Sequence, residues 1–197
     1  MYSLVIVPNP VLVHKSEKVK HFDAKLSVII SEMTETLLAT TDPVGVGLAA
    51  PQVGLPLQIF QMKPTEKSKV TTYINPKIIE ESQNQNVPNF SNSAKVRKNL
   101  PAGRQEPKKG KLLEGCLSVP NIWGHVTRKK EVKLSWQDAK GEQHEKLFTG
   151  FPAVIVQHEM DHLNGVLFTK HVMAQNEKLY KSHKDDEGND VFDEIKI

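Results

Sequence analysis

Three patterns in the 197-residue chain predict an α+β domain: helical spacing of apolar residues from Asp23 to Leu38, short alternating runs through the middle, and a second helical run from Phe151 to Leu163. At 38% hydrophobic the chain is long enough for one well-buried core and short for two. Residues 1–170 are therefore read as one domain, with 171–197 as a C-terminal segment.

The first helix places Leu26, Ile29, Ile30, Met33, Leu37 and Leu38 on an apolar stripe and ends before Asp42-Pro43, because proline biases its predecessor away from helical angles. GVGLAAPQVG, residues 45–54, carries three glycines and a proline and reads as a loop or irregular edge strand. Strand-like runs follow at 57–62, 70–74, 131–136 and 145–148, and the last two are joined through Asp138-Ala-Lys-Gly141, which is turn chemistry for a hairpin. In FPAVIVQHEMDHL, residues 151–163, Pro152 falls in the first turn and Gly165 is placed to end the helix. Beyond Lys170 the chain is helix-compatible to about Lys184, and the final DDEGNDVFDEIKI reads as an acidic, partly frayed tail.

Several function classes are excluded early. A net charge of +3 is far from that of a dedicated nucleic-acid binder. No stretch approaches the roughly 18 apolar residues of a membrane span, and the run from Leu4 to Val7 is too short for a signal-peptide core. The expected location is the cytoplasm, or an organelle lumen for a mature form. The single cysteine, Cys116, cannot form an internal disulfide, which leaves a buried thiol, a nucleophile or a metal ligand. Residues 82–111 differ from the rest: seven lysines and arginines against Glu106 give a local charge of +6, leaving about −3 elsewhere. This polar segment reads as a surface insertion, with electrostatic contact to RNA or the ribosome as its alternative role.

Chemistry concentrates in His158-Glu159-Met160-Asp161-His162. Histidines four apart lie on one helical face and can reach a single metal ion, with Glu159 available as a base toward water. A third ligand is needed. One metalloprotease pattern would place it at position 168, but Phe168 cannot bind a metal; His171 lies three residues beyond the pattern and reads as a surface histidine, and glutamate ligands elsewhere carry no local signal. Cys116, in Glu114-Gly115-Cys116-Leu117-Ser118, offers a soft thiolate as the alternative.

Gly45-Val46-Gly47-Leu-Ala-Ala-Pro-Gln52, Glu114-Gly-Cys-Leu-Ser118 and Gln157-His-Glu-Met-Asp-His162, in that order, resemble the three signature motifs of peptide deformylases. The similarity extends from about Pro8 to Phe168 and implies antiparallel strands surrounding the helix that bears the histidines. It implies that Cys116, His158 and His162 hold one divalent metal ion, with Fe(II) native and Zn(II), Ni(II) or Co(II) also suited to the donors. Glu159 is then the catalytic acid and base, and the Gln52 amide and Leu117 backbone N–H stabilise the oxyanion. The substrate implied is the formylmethionine of a nascent peptide, laid as an extended strand between Gly45-Val46-Gly47 and Glu114-Gly115. Because that mode reads main chain, downstream preference is expected to be weak. Val154, Ile155, Phe151 and Trp123 are implied as the methionine pocket, while Arg128 and Asp161 fall where the family places supporting polar residues.

The rivals are a metallopeptidase with a different third ligand and a non-catalytic binder of nascent chains. Two features depart from the family: the long 82–111 segment, and Lys170 at an often acidic position. Residues 170–184, with four lysines against Glu177, carry +3, which permits ribosome docking.

Overall fold

The computed structural model describes residues 1–83, 85–86 and 112–196. The segment 82–111, expected to be an insertion, therefore lies almost wholly outside the described residues.

The helix predicted at Asp23–Leu38 is α1, Ala24–Ala39, and Asp23 caps it by accepting from the Leu26 N–H at 3.0 Å. Leu26, Met33 and Leu37 are buried as expected, but Leu38 is 51% exposed. It stands one position beyond Leu37, outside the stripe that faces the core. The glycine-rich segment forms a three-residue strand, β1 (Gly47–Ala49), followed by a 3₁₀ turn over Ala50–Val53.

Further strands are β2 (Ile59–Met62), β3 (Thr71–Glu81), β4 (Gln85–Asn86), β5 (Leu112–Cys116), β6 (Val119–Val126), β7 (Arg128–Lys129), β8 (Glu131–Gln137) and β9 (Gln143–Thr149). The β8–β9 hairpin turns where the sequence predicts: Asp138 Oδ1 accepts from the N–H groups of Lys140 and Glu142. The second predicted helix is α2, Phe151–Leu163, with Gly165 just past its end at φ +69°.

Five strands form one antiparallel sheet in the order β1-β2-β3-β8-β9, and α2 packs across it. Phe60, Tyr73, Val132, Leu134 and Phe148 of the sheet meet Ala153, Ile155 and Val156 of the helix in one core. A second core lies under α1. A short α3 (Phe168–Ala174) covers the β5–β6 pair, burying Phe168 and Val172 against Cys116, Val119 and Val126. Two sheets thus flank α2, and the predicted α+β architecture around a central helix is observed. No helix among the described residues is long and apolar enough to cross a membrane.

The C-terminal expectation is corrected. Helix stops at Ala174, and β10 (Leu179–Lys184) and β11 (Asp190–Glu194) form a hairpin that extends the second sheet to the order β11-β10-β6-β5. The acidic tail is not frayed, because its residues face basic partners across the hairpin: Lys184 with Asp190 at 2.7 Å, Lys178 with Glu194 at 2.5 Å and His183 with Asp193 at 3.4 Å. Its turn is built by Asp185, whose Oδ1 accepts from the N–H groups of Glu187 and Asn189, with Gly188 at φ +82°.

Gly165 fixes the N-terminal segment to the end of α2. A Cβ there would lie 2.6 Å from the Val13 carbonyl oxygen, in addition to the unfavourable φ. The Gly165→Ala chain is expected to be less stable than the parent by more than about 1 kcal/mol, measured as a lowered midpoint in chemical unfolding; an unchanged midpoint would show that this contact is dispensable.

Candidate metal centre

Three elements converge on one point. His158, Glu159 and His162 lie on α2, and His162 reaches Cys116, which ends β5. Cys116 Sγ lies 3.2 Å from His162 Nε2, and one donor atom from each of Cys116, His158 and His162 falls within 4.8 Å of the others. A thiol and two imidazoles at that spacing fit a divalent transition-metal ion. Phe168, where one protease pattern would put a ligand, instead stacks beside the His158 ring at 6.2 Å.

A buried charge network orients the set. Glu114, on β5, accepts from both Arg128 Nε and Arg128 Nη2 at 2.8 Å, and its Oε2 also lies 3.0 Å from His158 Nδ1. Holding Nδ1 this way leaves His158 Nε2 for the site. Arg128 Nη1 donates to Asp161 Oδ2 at 2.6 Å, and the same oxygen lies 2.9 Å from His171 Nε2. Burial pushes the Glu114 carboxyl up, but Arg128 and His158 outweigh it and hold it at about 2. Burial also opposes ionisation of Cys116, yet His162 and His158 bring the thiol down to about 5.

Glu159 is only 3% exposed, and its Oε2 has no hydrogen-bond partner among the described residues. Burial pushes its carboxyl up to about 7, against the pull of His158 and His162. Gly47 makes room for it: a Cβ at that position would come within 2.8 Å of Glu159 Cδ and closer still to Oε1. Gln52, 2% exposed, accepts from the Ala49 N–H through Oε1 at 2.8 Å, which turns its amide N–H toward Cys116 Sγ at 3.5 Å. Leu117 lies in the turn directly after Cys116, past a register shift at Gly115, and borders the same cleft.

Among the described residues the strands that carry Gly47 and Gly115 are each the last in their sheet, so each has one backbone edge unpaired within that set; Gly45 and Val46 lead into the first of them. Val154 and Ile155 are buried on α2, and Ile155 Cγ2 lies 3.0 Å from where a Gly47 Cβ would be. Phe151 is 36% exposed at the start of that helix. Trp123 belongs to a different wall: it pairs with Gly115 across β5–β6, its ring lies over that glycine, and its indole N–H donates to Ser182 Oγ at 3.0 Å. Sequence reasoning sets His171 aside as a surface histidine and does not find Ser182 or Phe192 at all. None of the three has a local signal, since their contacts arise from chain far apart in sequence.

The sequence model described as polypeptide deformylase matches residues 1–178. A peptide deformylase from Pseudothermotoga lettingae is 36% identical over 163 residues, covering 83% of this chain and 78% of that protein. The crystal structure of peptide deformylase from Thermotoga maritima superposes with a TM-score of 0.70 at 33% identity, covering 87% of this chain and 97% of that one. A Plasmodium falciparum peptide deformylase superposes at 0.68 with 34% identity, covering 86% and 85%. With the fold, the motif order and the match over residues 1–178 in agreement, the chain belongs to the polypeptide deformylase family.

Proposed function

We propose that this chain hydrolyses the N-formyl group from the formylmethionine at the start of a nascent polypeptide, releasing formate, with Cys116, His158 and His162 holding one Fe(II) ion. The observation that carries the reading is the convergence of three metal donors beside a buried carboxylate with an unpartnered oxygen. A divalent ion held there supplies Lewis acidity to the formyl carbonyl and lowers the pKa of water. Glu159 takes the proton from the attacking water and returns it to the leaving amine. Its burial, with Gly47 against it, keeps bulk water from competing for that proton. The Gln52 amide N–H and the Leu117 backbone N–H donate to the oxygen that becomes negative as the carbonyl is attacked. Cys116 serves as ligand and not as nucleophile, so no covalent intermediate forms.

The peptide main chain lies as an added strand between the free edges of β1 and β5, reading Gly45, Val46 and Gly47 on one side and Glu114 and Gly115 on the other. Val154 and Ile155, with Phe151 at the rim, receive the methionine side chain. Glu114, Arg128 and Asp161 orient His158 from behind. The work belongs where chains are being synthesised, in the cytoplasm, and includes a transient electrostatic contact with the ribosome through the +6 segment at 82–111.

Formate release from a formyl-methionyl peptide under anaerobic, iron-loaded conditions tests the reaction. The wild-type chain is expected to release formate, and Glu159→Ala to lose about 100-fold or more of that rate; no formate from the wild type would overturn the function. Cys116→Ala separates this reading from a peptidase with a ligand elsewhere: the variant should fail to retain metal through gel filtration, measured by elemental analysis, and retention at one ion per chain would exclude cysteine ligation. For the ribosome contact, deletion of 82–111 should weaken co-sedimentation with ribosomes at low salt more than at high salt, and binding indifferent to salt would remove that part of the reading.

A further inference from the structure

A groove of about 860 Å³ lies along a face of α2 that does not carry the metal donors. Gln157, Met160 and Asp161, three and four residues apart on that face, border it, and neither Cys116, His158 nor His162 does. Met160 and Ile78 of β3, both half-buried and packed on the core, give it an apolar patch. Three stretches of chain bring lysines to the same hollow: Lys15 and Lys18 from the segment after Val13, Lys77 from β3 and Lys129 from β7. Hydrogen bonds fix the backbone that carries them. The Ser16 N–H donates to the Leu163 carbonyl at 2.9 Å and the Val19 N–H to Asn75 Oδ1 at 2.8 Å, while the Gln157 amide holds both the N–H and the carbonyl of Lys129, at 2.9 and 3.0 Å.

The charge of these lysines is not balanced locally. Lys133, Lys178 and Lys184 elsewhere each pair with a carboxylate, whereas none of the four groove lysines has an ion-pair partner among the described residues. Two acids line the groove. Asp161 is held by Arg128 at 2.6 Å, which leaves Glu81 against four lysines. The residues outside the described set add a single acidic side chain, Glu106, to seven lysines and arginines, so that part of the sequence has no surplus of carboxylate to offset the groove.

We infer that this groove binds a small molecule carrying a chain of linked phosphates. Lysine ammonium groups are compact point charges suited to phosphate oxygens, and four of them around one hollow match a ligand with three or more negative charges. The volume lies within the range of about 300–1,000 Å³ common to small-molecule sites, and the Met160–Ile78 patch offers a surface for an organic body such as a nucleoside. An RNA backbone fits less well, because the lysines come to a hollow from three stretches of chain and the whole chain carries only +3. The site does not depend on the deformylase reading, since it uses none of the metal donors.

Equilibrium dialysis of the metal-loaded chain at low salt, against tripolyphosphate, ATP, AMP and a short single-stranded RNA, tests this. Tripolyphosphate and ATP should each bind one per chain, about tenfold or more tighter than AMP, and weaken as salt is added. ATP binding tighter than tripolyphosphate assigns the ligand to the nucleotides; equal or weaker binding assigns it to inorganic polyphosphate. Lys15→Gln with Lys18→Gln, and separately Lys77→Gln with Lys129→Gln, should each weaken tripolyphosphate binding about tenfold. Lys25→Gln with Lys67→Gln, which removes two exposed lysines elsewhere, should leave it within about twofold. The two groove pairs lie in different parts of the chain, so if circular dichroism shows one pair misfolded, the other decides. Full affinity in a folded groove variant, an equal loss in the control pair, or no binding of either polyphosphate by the wild-type chain would overturn the site. RNA binding tighter than tripolyphosphate, with the same lysine dependence, would overturn it in favour of a nucleic-acid surface.

Discussion

Glu114 is a carboxylate with almost no exposure that serves two clients at once. Both of its oxygens accept from the Arg128 guanidinium, and one also holds His158 Nδ1. Taking such a carboxylate out of water is costly, and only charge-assisted hydrogen bonds of this quality offset it; removing one partner of a buried pair costs about 3–5 kcal/mol. The interaction joins three pieces of chain that are otherwise remote: β5, β7 and α2. It thereby sets the distance between Cys116 and the two histidines, and with it whether the three donors can meet on one ion.

The rest of the site follows from bringing two sheets to either side of α2. Among the described residues β1 ends one sheet and β5 the other, and both meet the helix that bears the donors, Gly47 against Glu159 and Glu114 against His158. Gly47 and Gly115 let side chains lie where a Cβ would otherwise be, Glu159 against the first and Trp123 against the second. A buried acid and an aromatic ring are thus each seated against backbone by the same device. The C-terminal hairpin then extends the second sheet outward from the metal centre.

Much of this is legible in the residues. Helical spacing locates α1 and α2 within a residue or two, and the turn at Asp138 marks the β8–β9 hairpin, because both signals are local in the chain. The motif residues also come together, since His158 and His162 share a helical face and Cys116 follows a glycine that permits close packing. What stays hidden is set by partners distant in sequence. The acidic tail reads as unstructured because its stabilising lysines lie on or just before the preceding strand, and charge patterning within the tail alone cannot reveal a cross-strand pair. His171 reads as a surface histidine because Asp161, its neighbour in space, is ten positions earlier and on another helix. The family resemblance groups Trp123 with the α2 residues, while the register with Gly115 and the bond to Ser182 of the hairpin have no signal in the sequence.

The dependence of the metal centre on Glu114 can be measured without reference to turnover. Metal-free wild-type and Glu114→Gln chains would be titrated anaerobically with Co(II) against a competing chelator, with their folds compared by circular dichroism. Loss of the charge that holds His158 Nδ1 should weaken affinity about 10-fold to 100-fold in a chain that stays folded. Equal affinity for the two chains would contradict the account.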